Sequence, residues 1–422
     1  YNRVVKVRDE LKLPVATLFD SKGPEIRFRL FEGGKVTIND DDLFTLTTRE
    51  ILGNNTIGSI SYKNLINDVQ IGTSILVNDG LIELKVEKVG DTDIVCRVIN
   101  GGVISDRKAI NVPGVHLSLP FLSDVDRRDL EFAMKTGFDF FALSFVRCAE
   151  DVLEVRRLQK EHNNTSKLIA KIESQEGVEN LDAIIDVADG IMVARGDMGV
   201  EIPFEKVPVV QKDMISKCLK SGKFVIVATQ MLESMTHNPR PTRAEVNDVA
   251  NAIFDQTSAV MLSGESAAGD YPVEAVKTMS RICHEIEKTT TTGKFEITYN
   301  GSNLASSIAC AACSIASVIN ADAIIPVSLS GSTIRKVSGF RPNINIIGCS
   351  TNERVCRETS LMWGVTPVLI TEQEDGEALI NEVINKCKTA GVIKSGNRVV
   401  IVAGFPLRIA GATNMIRVVD VD

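Results

Sequence analysis

Histidine is scarce in this 422-residue chain, and His116, His162, His237 and His284 are too far apart to share a metal, which argues against a zinc site. No apolar run reaches the ~18 residues of a membrane span, and Tyr1 to Lys12 is too charged for a secretory signal. The chain lacks any block of Lys or Arg and carries a formal net charge of -8. A nucleic-acid surface is therefore not expected, whereas local basic pockets for phosphates remain open. Nine cysteines, odd in number and scattered, do not make a disulfide framework and fit reduced thiols in the cytoplasm. Internal repeats and low-complexity tails are also missing. What remains is an ordinary globular composition, 44% hydrophobic and 24% charged, at a length that one core does not organise. Two or three domains are expected.

Short apolar runs that end in polar residues and precede helical patterns mark βα units. The clearest are Val15 to Phe19, Phe140 to Phe145, Lys167 to Glu173, Gly190 to Arg195, Phe224 to Thr229 and Ser258 to Leu262. They finish on residues capable of chemistry: Asp20, Ser144, Lys171 with Glu173, Arg195 with Asp197, Thr229, and Ser263 with Glu265. A parallel βα barrel places catalytic groups where its strands end, and closes with eight strands. Two are missing, and the chain opens inside a helical pattern without an initiator Met, so the natural protein is expected to begin earlier.

From about Arg27 to Pro113, alternating strands and turns such as Asn39-Asp40, Asp79-Gly80 and Gly101-Gly102 replace the helices and predict an inserted β domain. After Ser266 one long helix is predicted to about Lys288, followed by a linker over Thr289 to Gly293. Alternation resumes at Asp322 to Ser328, Asn345 to Cys349, Pro367 to Ile370 and Arg398 to Ala403, a smaller open α/β sheet. The expected division is 1–26 and 114–290 for the barrel, 27–113 for the insertion and 291–422 for the C-terminal domain.

Residues two apart on a strand point the same way, so Lys171 and Glu173 present a cation and an acid side by side. Taken alone, the pair reads equally well as a structural salt bridge. The next strand ends in Ala194-Arg195-Gly196-Asp197 and adds a second carboxylate, with a glycine that lets backbone approach a ligand. Two carboxylates from neighbouring strands suit Mg²⁺, which takes one or two protein carboxylates plus waters and substrate oxygens. Two weaker motifs have ordinary explanations. Cys310-Ala311-Ala312-Cys313 has redox spacing but lies in an Ala/Ser-rich helical pattern, where packing is the favoured reading. Ser330-Gly331-Ser332-Thr333, between a strand and a helical pattern, is equally a phosphate cradle or a helix cap.

Asp20-Ser21-Lys22-Gly23-Pro24-Glu25-Ile26-Arg27, the Lys171 and Glu173 strand, Arg195 to Glu201, Thr229 to Met235, Pro239 to Ala250 and Leu262-Ser263-Gly264-Glu265 resemble, in order, the signatures of the pyruvate kinase family. The resemblance runs through the whole chain. It implies a (βα)8 TIM barrel with an inserted β-barrel lid and a C-terminal open α/β domain. The first two strands of that barrel, with an arginine, an asparagine and a serine that help bind phosphate and K⁺, are absent from this chain.

The implied activity is phosphoryl transfer from phosphoenolpyruvate to ADP, giving pyruvate and ATP, with Mg²⁺ (or Mn²⁺) and K⁺. By the same resemblance, Glu173 and Asp197 hold Mg²⁺, Lys171 stabilises the phosphoryl group, and Gly196, Asp197 and Thr229 receive the substrate carboxylate. Arg27 contacts phosphate and nucleotide, Lys108 in the lid contacts nucleotide, and Asp20 with the Ser21 carbonyl holds K⁺. Glu25 is the variant that accompanies K⁺ dependence. A water relay near Thr229 and Ser263 delivers the proton to the enolate. An allosteric homotetramer is implied, with a phosphorylated effector at Ser328, Ser330, Ser332 and Thr333 and the Phe405 to Thr413 loop, carrying Arg408, closing over it. Leu329 stands where relatives that bind fructose bisphosphate often carry lysine, which leaves a monophosphorylated sugar or AMP equally open. The competing readings are an Mg²⁺-dependent pyruvate-enolate lyase or aldolase on the same barrel, and a non-catalytic sugar-phosphate sensor. Lys171, Arg27 and the lid argue against the first; intact Lys171, Glu173 and Asp197 argue against the second.

Overall fold

The computed structural model of the protein describes residues 1–289, 303–407, 409 and 412–422. An opening helix, Asn2–Leu11, leads into six parallel strands paired in chain order: Leu18–Asp20, Phe140–Leu143, Lys167–Ile172, Gly190–Ala194, Phe224–Ala228 and Ala259–Val260. Period-two alternation sorts their side chains into two layers. Phe140, Ala142, Ile169, Met192, Ile226 and Ala228 face an inner core. Phe141, Leu143, Leu168, Ala170, Ile191 and Val193 join the apolar faces of the surrounding helices in a larger outer one. Lys171 follows Ile169 on the inward-facing series, which sends its ammonium to the strand ends. The first strand starts at Leu18 instead of Val15. The Thr17 N–H donates to Asp139 Oδ2 at 2.8 Å, so a carboxylate takes the place of a ladder partner there.

The insertion is a seven-stranded sheet whose ends meet. Its edge strands, Ile26–Arg27 and Ile57–Ser59, are joined by a bridge from Phe28 to Ile60 and by the Ser61 N–H donating to Arg27 O at 2.8 Å. Closure removes the free edges that an open sheet exposes. The result is a small β barrel around Phe28, Phe44, Leu46, Ile75, Leu84 and Ile94.

The helix Pro272–Thr289 matches the predicted one and takes in Thr289, and the rest of the predicted linker lies outside the described residues. The C-terminal domain has five strands in the order Val365–Leu369, Asn345–Ser350, Ala323–Pro326, Arg398–Gly404, Thr413–Asp420, with a core on each face. The fifth strand was not expected from the sequence. It pairs antiparallel on the sheet edge, and exposed Asn414, Arg417 and Val418 break the apolar run that marks the buried strands. Cys310 and Cys313 are buried on the helix Leu304–Val318, which supports packing over redox chemistry, and all nine cysteines are free thiols. The domain docks on the barrel through ion pairs and one apolar plug. Arg357 Nε lies 3.0 Å from the buried Asp139 Oδ1, Arg354 Nη2 donates to Ser166 Oγ at 2.9 Å, and Leu361 packs against the inner barrel core.

Candidate active site

Every expected barrel residue lies at the C-terminal end of a strand or just beyond it. Lys171 is largely buried, and its ammonium contacts three oxygens: Ser144 Oγ at 2.7 Å, Asp20 Oδ1 at 3.1 Å and Glu173 Oε1 at 3.2 Å. Burial alone would lower its pKa, but Glu173 and Asp20 outweigh that and raise it, so the ammonium stays charged. Glu173 is 1% exposed, and its other oxygen accepts the Phe145 N–H at 2.7 Å. Desolvation drives the Glu173 carboxyl up to about 7; Lys171 opposes this and Asp197 reinforces it. Asp197 is likewise raised, first by burial, then, against Lys171, by Glu25 and Asp79.

Arg27 is clamped by Glu25, with Nε to Oε2 at 2.8 Å and Nη2 to Oε1 at 2.9 Å, while Nη1 donates to the Arg107 carbonyl on the lid. The Glu25 hydrogen bond is the main reason its pKa rises. Asp20, Glu25, Glu173 and Asp197, with Asp79 close enough to act on Asp197, thus gather around the cations Lys171 and Arg27. Such a site calls for added positive charge before it can accept an anionic substrate. Hard oxygen donors and a carboxyl pushed up to about 7 suit Mg²⁺. Glu173 and Asp197 are two donors only, and among the described residues no cluster of three or more acidic, His or Cys side chains could cage a metal. Water and substrate would have to supply the remaining ligands.

Several non-glycine residues at this site have left-handed backbones, among them Phe145 at φ 55° and the β-branched Thr229 at φ 68°. Such strain persists only where the surroundings fix it. At Phe145 the brace is the Glu173 carboxylate. At Thr229 it is Arg195, whose Nη2 donates to Thr229 O at 2.7 Å while Nη1 pairs with Asp248 at 2.6 Å. Thr229 Oγ1 in turn accepts the Gly196 N–H at 2.8 Å, tying two of the expected carboxylate-binding residues together.

Asp20 and Ser21, the expected K⁺ ligands, meet at one hydroxyl. Ser144 Oγ lies 3.4 Å from Asp20 Oδ1 and donates to the Ser21 carbonyl at 2.7 Å. Ser144 was legible only as a polar strand end and had no assigned role. Ser263 caps the short helix Gly264–Ala267, with its N–H held by the fully buried Glu265 at 2.7 Å. Lys108 sits on the lid beside Ala109–Asn111, and among the described residues no hydrogen bond or ion pair joins its side chain to the Lys171 cluster. A cleft of about 460 Å³ between lid and barrel is lined by Glu25, Asp79, Asn111, Phe145, Asp197 and Glu201, among others. Asn111 Nδ2 donates to Glu201 Oε1 at 2.9 Å across it, linking the lid to the helix that carries Asp197.

In the C-terminal domain a second cavity is lined by Ser328, Leu329, Thr333, Glu372, Gln373 and Thr413, among others. Thr333 is buried, and its hydroxyl meets that of Thr413 at 2.7 Å. Ser330 lies on the turn before the helix Ser332–Gly339, which Ser332 opens, and neither lines the cavity. Arg408 lies outside the described residues.

The model of the pyruvate kinase barrel domain matches residues 1–276, and that of the pyruvate kinase alpha/beta domain matches 306–419. A pyruvate kinase of Clostridium acetobutylicum is 46% identical over 420 residues, covering 98% of this chain and 89% of the relative. One of Staphylococcus aureus is 43% identical over 418 residues, covering 98% and 72%. The solved structure of a pyruvate kinase from Cryptosporidium parvum superposes with a TM-score of 0.92 at 38% identity, covering 100% of this chain and 87% of that one. Both halves of the chain and its site geometry agree: it belongs to the pyruvate kinase family.

Proposed function

We propose that this protein transfers the phosphoryl group of phosphoenolpyruvate to ADP, giving pyruvate and ATP. The observation that carries this reading is the Lys171 ammonium, kept charged between Asp20, Glu173 and Ser144 and facing the same space as Asp197 and Arg27. A phosphoryl group in flight spreads negative charge over its oxygens, so catalysis is mainly positioning and charge stabilisation. Lys171 and Arg27 supply two fixed positive charges near Asp197. Glu173 and Asp197 would hold Mg²⁺, and Asp20 with Ser21 would hold K⁺. Bound there, Mg²⁺ would polarise the phosphoryl and enolate oxygens as a Lewis acid.

Gly196, Asp197 and Thr229 line the place for the substrate carboxylate, with Thr229 held rigid by Arg195. Thr229 and Ser263 flank the path by which a water would protonate the enolate carbon. The lid, carrying Lys108, would close on ADP and exclude water that competes for the phosphoryl group. The Ser328 and Thr333 cavity would take the phosphorylated effector of an allosteric homotetramer. Nine free thiols fit a reducing compartment such as the cytoplasm, and among the described residues no helix is long and apolar enough to cross a membrane. The decisive experiment follows pyruvate formation from phosphoenolpyruvate in the protein as the cell makes it, with ADP, Mg²⁺ and K⁺ each omitted in turn. Turnover should require all three; pyruvate release independent of ADP would point to a lyase.

A further inference from the structure

We propose that Asn111 and Glu201 are positioning residues that act as a latch, holding the lid at its working angle over Asp197, an inference that rests on the phosphoryl transfer proposed above. Asn111 ends the lid strand Ala109–Asn111, which pairs with Ile26–Arg27 on one side and with Ser74–Val77 on the other. The first neighbour carries Arg27, and the second runs into the turn that carries Asp79, so fixing this strand fixes both charges. Glu201 ends the helix Arg195–Glu201, one turn after Asp197 on the same face. Asn111 Nδ2 donates to Glu201 Oε1 at 2.9 Å, and among the described residues no other hydrogen bond joins residues 28–111 to that helix. The Asp79 turn rests on the helix as well, since a Cβ at Gly80 would lie 3.8 Å from Val200 Cγ1.

Glu201 is a costly choice for a contact that serves packing alone. It is partly buried near Asp197, and none of the groups that act on it is a cation. Burial raises its carboxyl, the Asn111 hydrogen bond opposes the rise, and Asp197 reinforces it. An apolar side chain at that position would cost less if stability were its whole role. The bond is also placed for leverage. Other ties between this part of the chain and the barrel, Arg147 Nη1 to Leu117 O at 3.2 Å and to Leu119 O at 2.9 Å, and His116 to Glu176 at 3.1 Å, lie close in sequence to Phe121, where the chain rejoins the barrel core. Asn111 is ten positions before Phe121 and meets the helix that carries Asp197.

Loss of the latch has a chemical consequence. The groups proposed to receive phosphoenolpyruvate, Gly196, Asp197 and Thr229, belong to the barrel and stay in place. The lid, with Lys108 and Asp79, would swing away from Asp197 and admit water. Water then takes the phosphoryl group in place of ADP, giving pyruvate and inorganic phosphate without ATP.

The experiment measures pyruvate and ATP formed by the intact protein, with ADP and phosphoenolpyruvate varied separately. Asn111→Asp sets two carboxylates face to face, and Glu201→Ala removes the acceptor. Each should raise KM for ADP at least tenfold and KM for phosphoenolpyruvate less than threefold, with pyruvate formed in excess of ATP. Combining Asn111→Asp with Glu201→Gln reverses donor and acceptor and should return KM for ADP to within threefold of wild type. Both positions are partly exposed, and the melting temperature of each variant checks that the fold is kept. Single variants with the wild-type KM for ADP, equal rises in both KM values, or a double variant as poor as Asn111→Asp would each overturn the latch while wild type remains ADP-dependent. A wild type that forms pyruvate without ADP would overturn the proposed function itself, and the latch with it.

Discussion

Ser144 Oγ lies 2.7 Å from the Lys171 ammonium and 2.7 Å from the Ser21 carbonyl, so one hydroxyl connects the cation proposed to stabilise the phosphoryl group to the expected monovalent site. Replacing it with Ala removes an acceptor from a buried ammonium and a donor from a carbonyl, each worth about 1 kcal/mol or more. Ser144→Ala should therefore lower turnover roughly tenfold and raise the K⁺ needed for half-maximal rate. Unchanged K⁺ titrations would separate Ser144 from the monovalent site.

Lys171→Met removes the charge itself. By analogy with deleting one preorganised stabiliser, turnover should fall on the order of 10² to 10³ or more, with substrate binding less affected. Steady-state kinetics with a separate binding measurement check the split. A loss confined to KM would assign Lys171 to uniform binding instead.

Glu173 gives the site a pH signature. Its carboxyl, raised from an ordinary 4.5 to about 7 chiefly by burial, is mostly protonated below 7 in the metal-free protein. Protons and Mg²⁺ compete for it, so apparent Mg²⁺ affinity should fall up to about tenfold per pH unit below 7 and level off above. The linkage runs with the same sign in stability. Because the folded state holds the proton more tightly, metal-free protein should lose stability as pH rises from about 4.5 to about 7, and Mg²⁺ should restore it. Melting temperatures across that range, with and without Mg²⁺, measure both effects. Glu173→Gln should raise the Mg²⁺ requirement and flatten the pH dependence.

The barrel strands, the presence of a β insertion and four of the five C-terminal strands were readable because buried strands carry uninterrupted apolar runs and the lid strands alternate; closure of the insertion was implied only by the family resemblance. Lys171, Glu173 and Asp197 were readable because strand periodicity and strand ends assign their direction. What stayed hidden depends on contacts between distant residues. Ser144 is a plain strand end until Lys171 and Ser21 converge on it across 27 and 123 positions. The Arg195 brace on Thr229 and the Asn111 link to Glu201 span 34 and 90 positions, with no local pattern to announce them. The edge strand Thr413–Asp420 was missed because half its residues face solvent.

Glu25 occupies Arg27 with a bidentate clamp, so exchanging it for a cation has two consequences at once. Glu25→Lys should weaken the K⁺ requirement, because a tethered ammonium supplies monovalent charge at close range. It also frees Arg27. Glu25→Gln separates the two effects, since it loosens Arg27 without adding a cation and should remain K⁺-dependent. Equal K⁺ dependence in both variants would show that charge at position 25 does not tune the monovalent site.

The last prediction concerns regulation through the cavity at Ser328, Leu329 and Thr333. A phosphorylated metabolite bound there can change substrate affinity only if it binds two arrangements of the protein unequally. The helix Ser332–Gly339 offers a route, since Thr333 lines the cavity at one end and Gly339 approaches Gly222 of the barrel at the other. Thr333 is a poor place to probe this, because it is buried and bonded to Thr413, and a carboxylate there would disturb packing as well as ligand. Leu329, 38% exposed on the cavity wall, is the better position. At subsaturating phosphoenolpyruvate, a sugar monophosphate or AMP should raise the apparent substrate affinity of wild type. Leu329→Glu should abolish that response by repelling the phosphate, and Leu329→Lys should extend it to a sugar bisphosphate by adding a counter-charge. If no phosphorylated metabolite shifts the wild-type curve, or if Leu329→Glu responds as wild type does, the effector does not bind in this cavity.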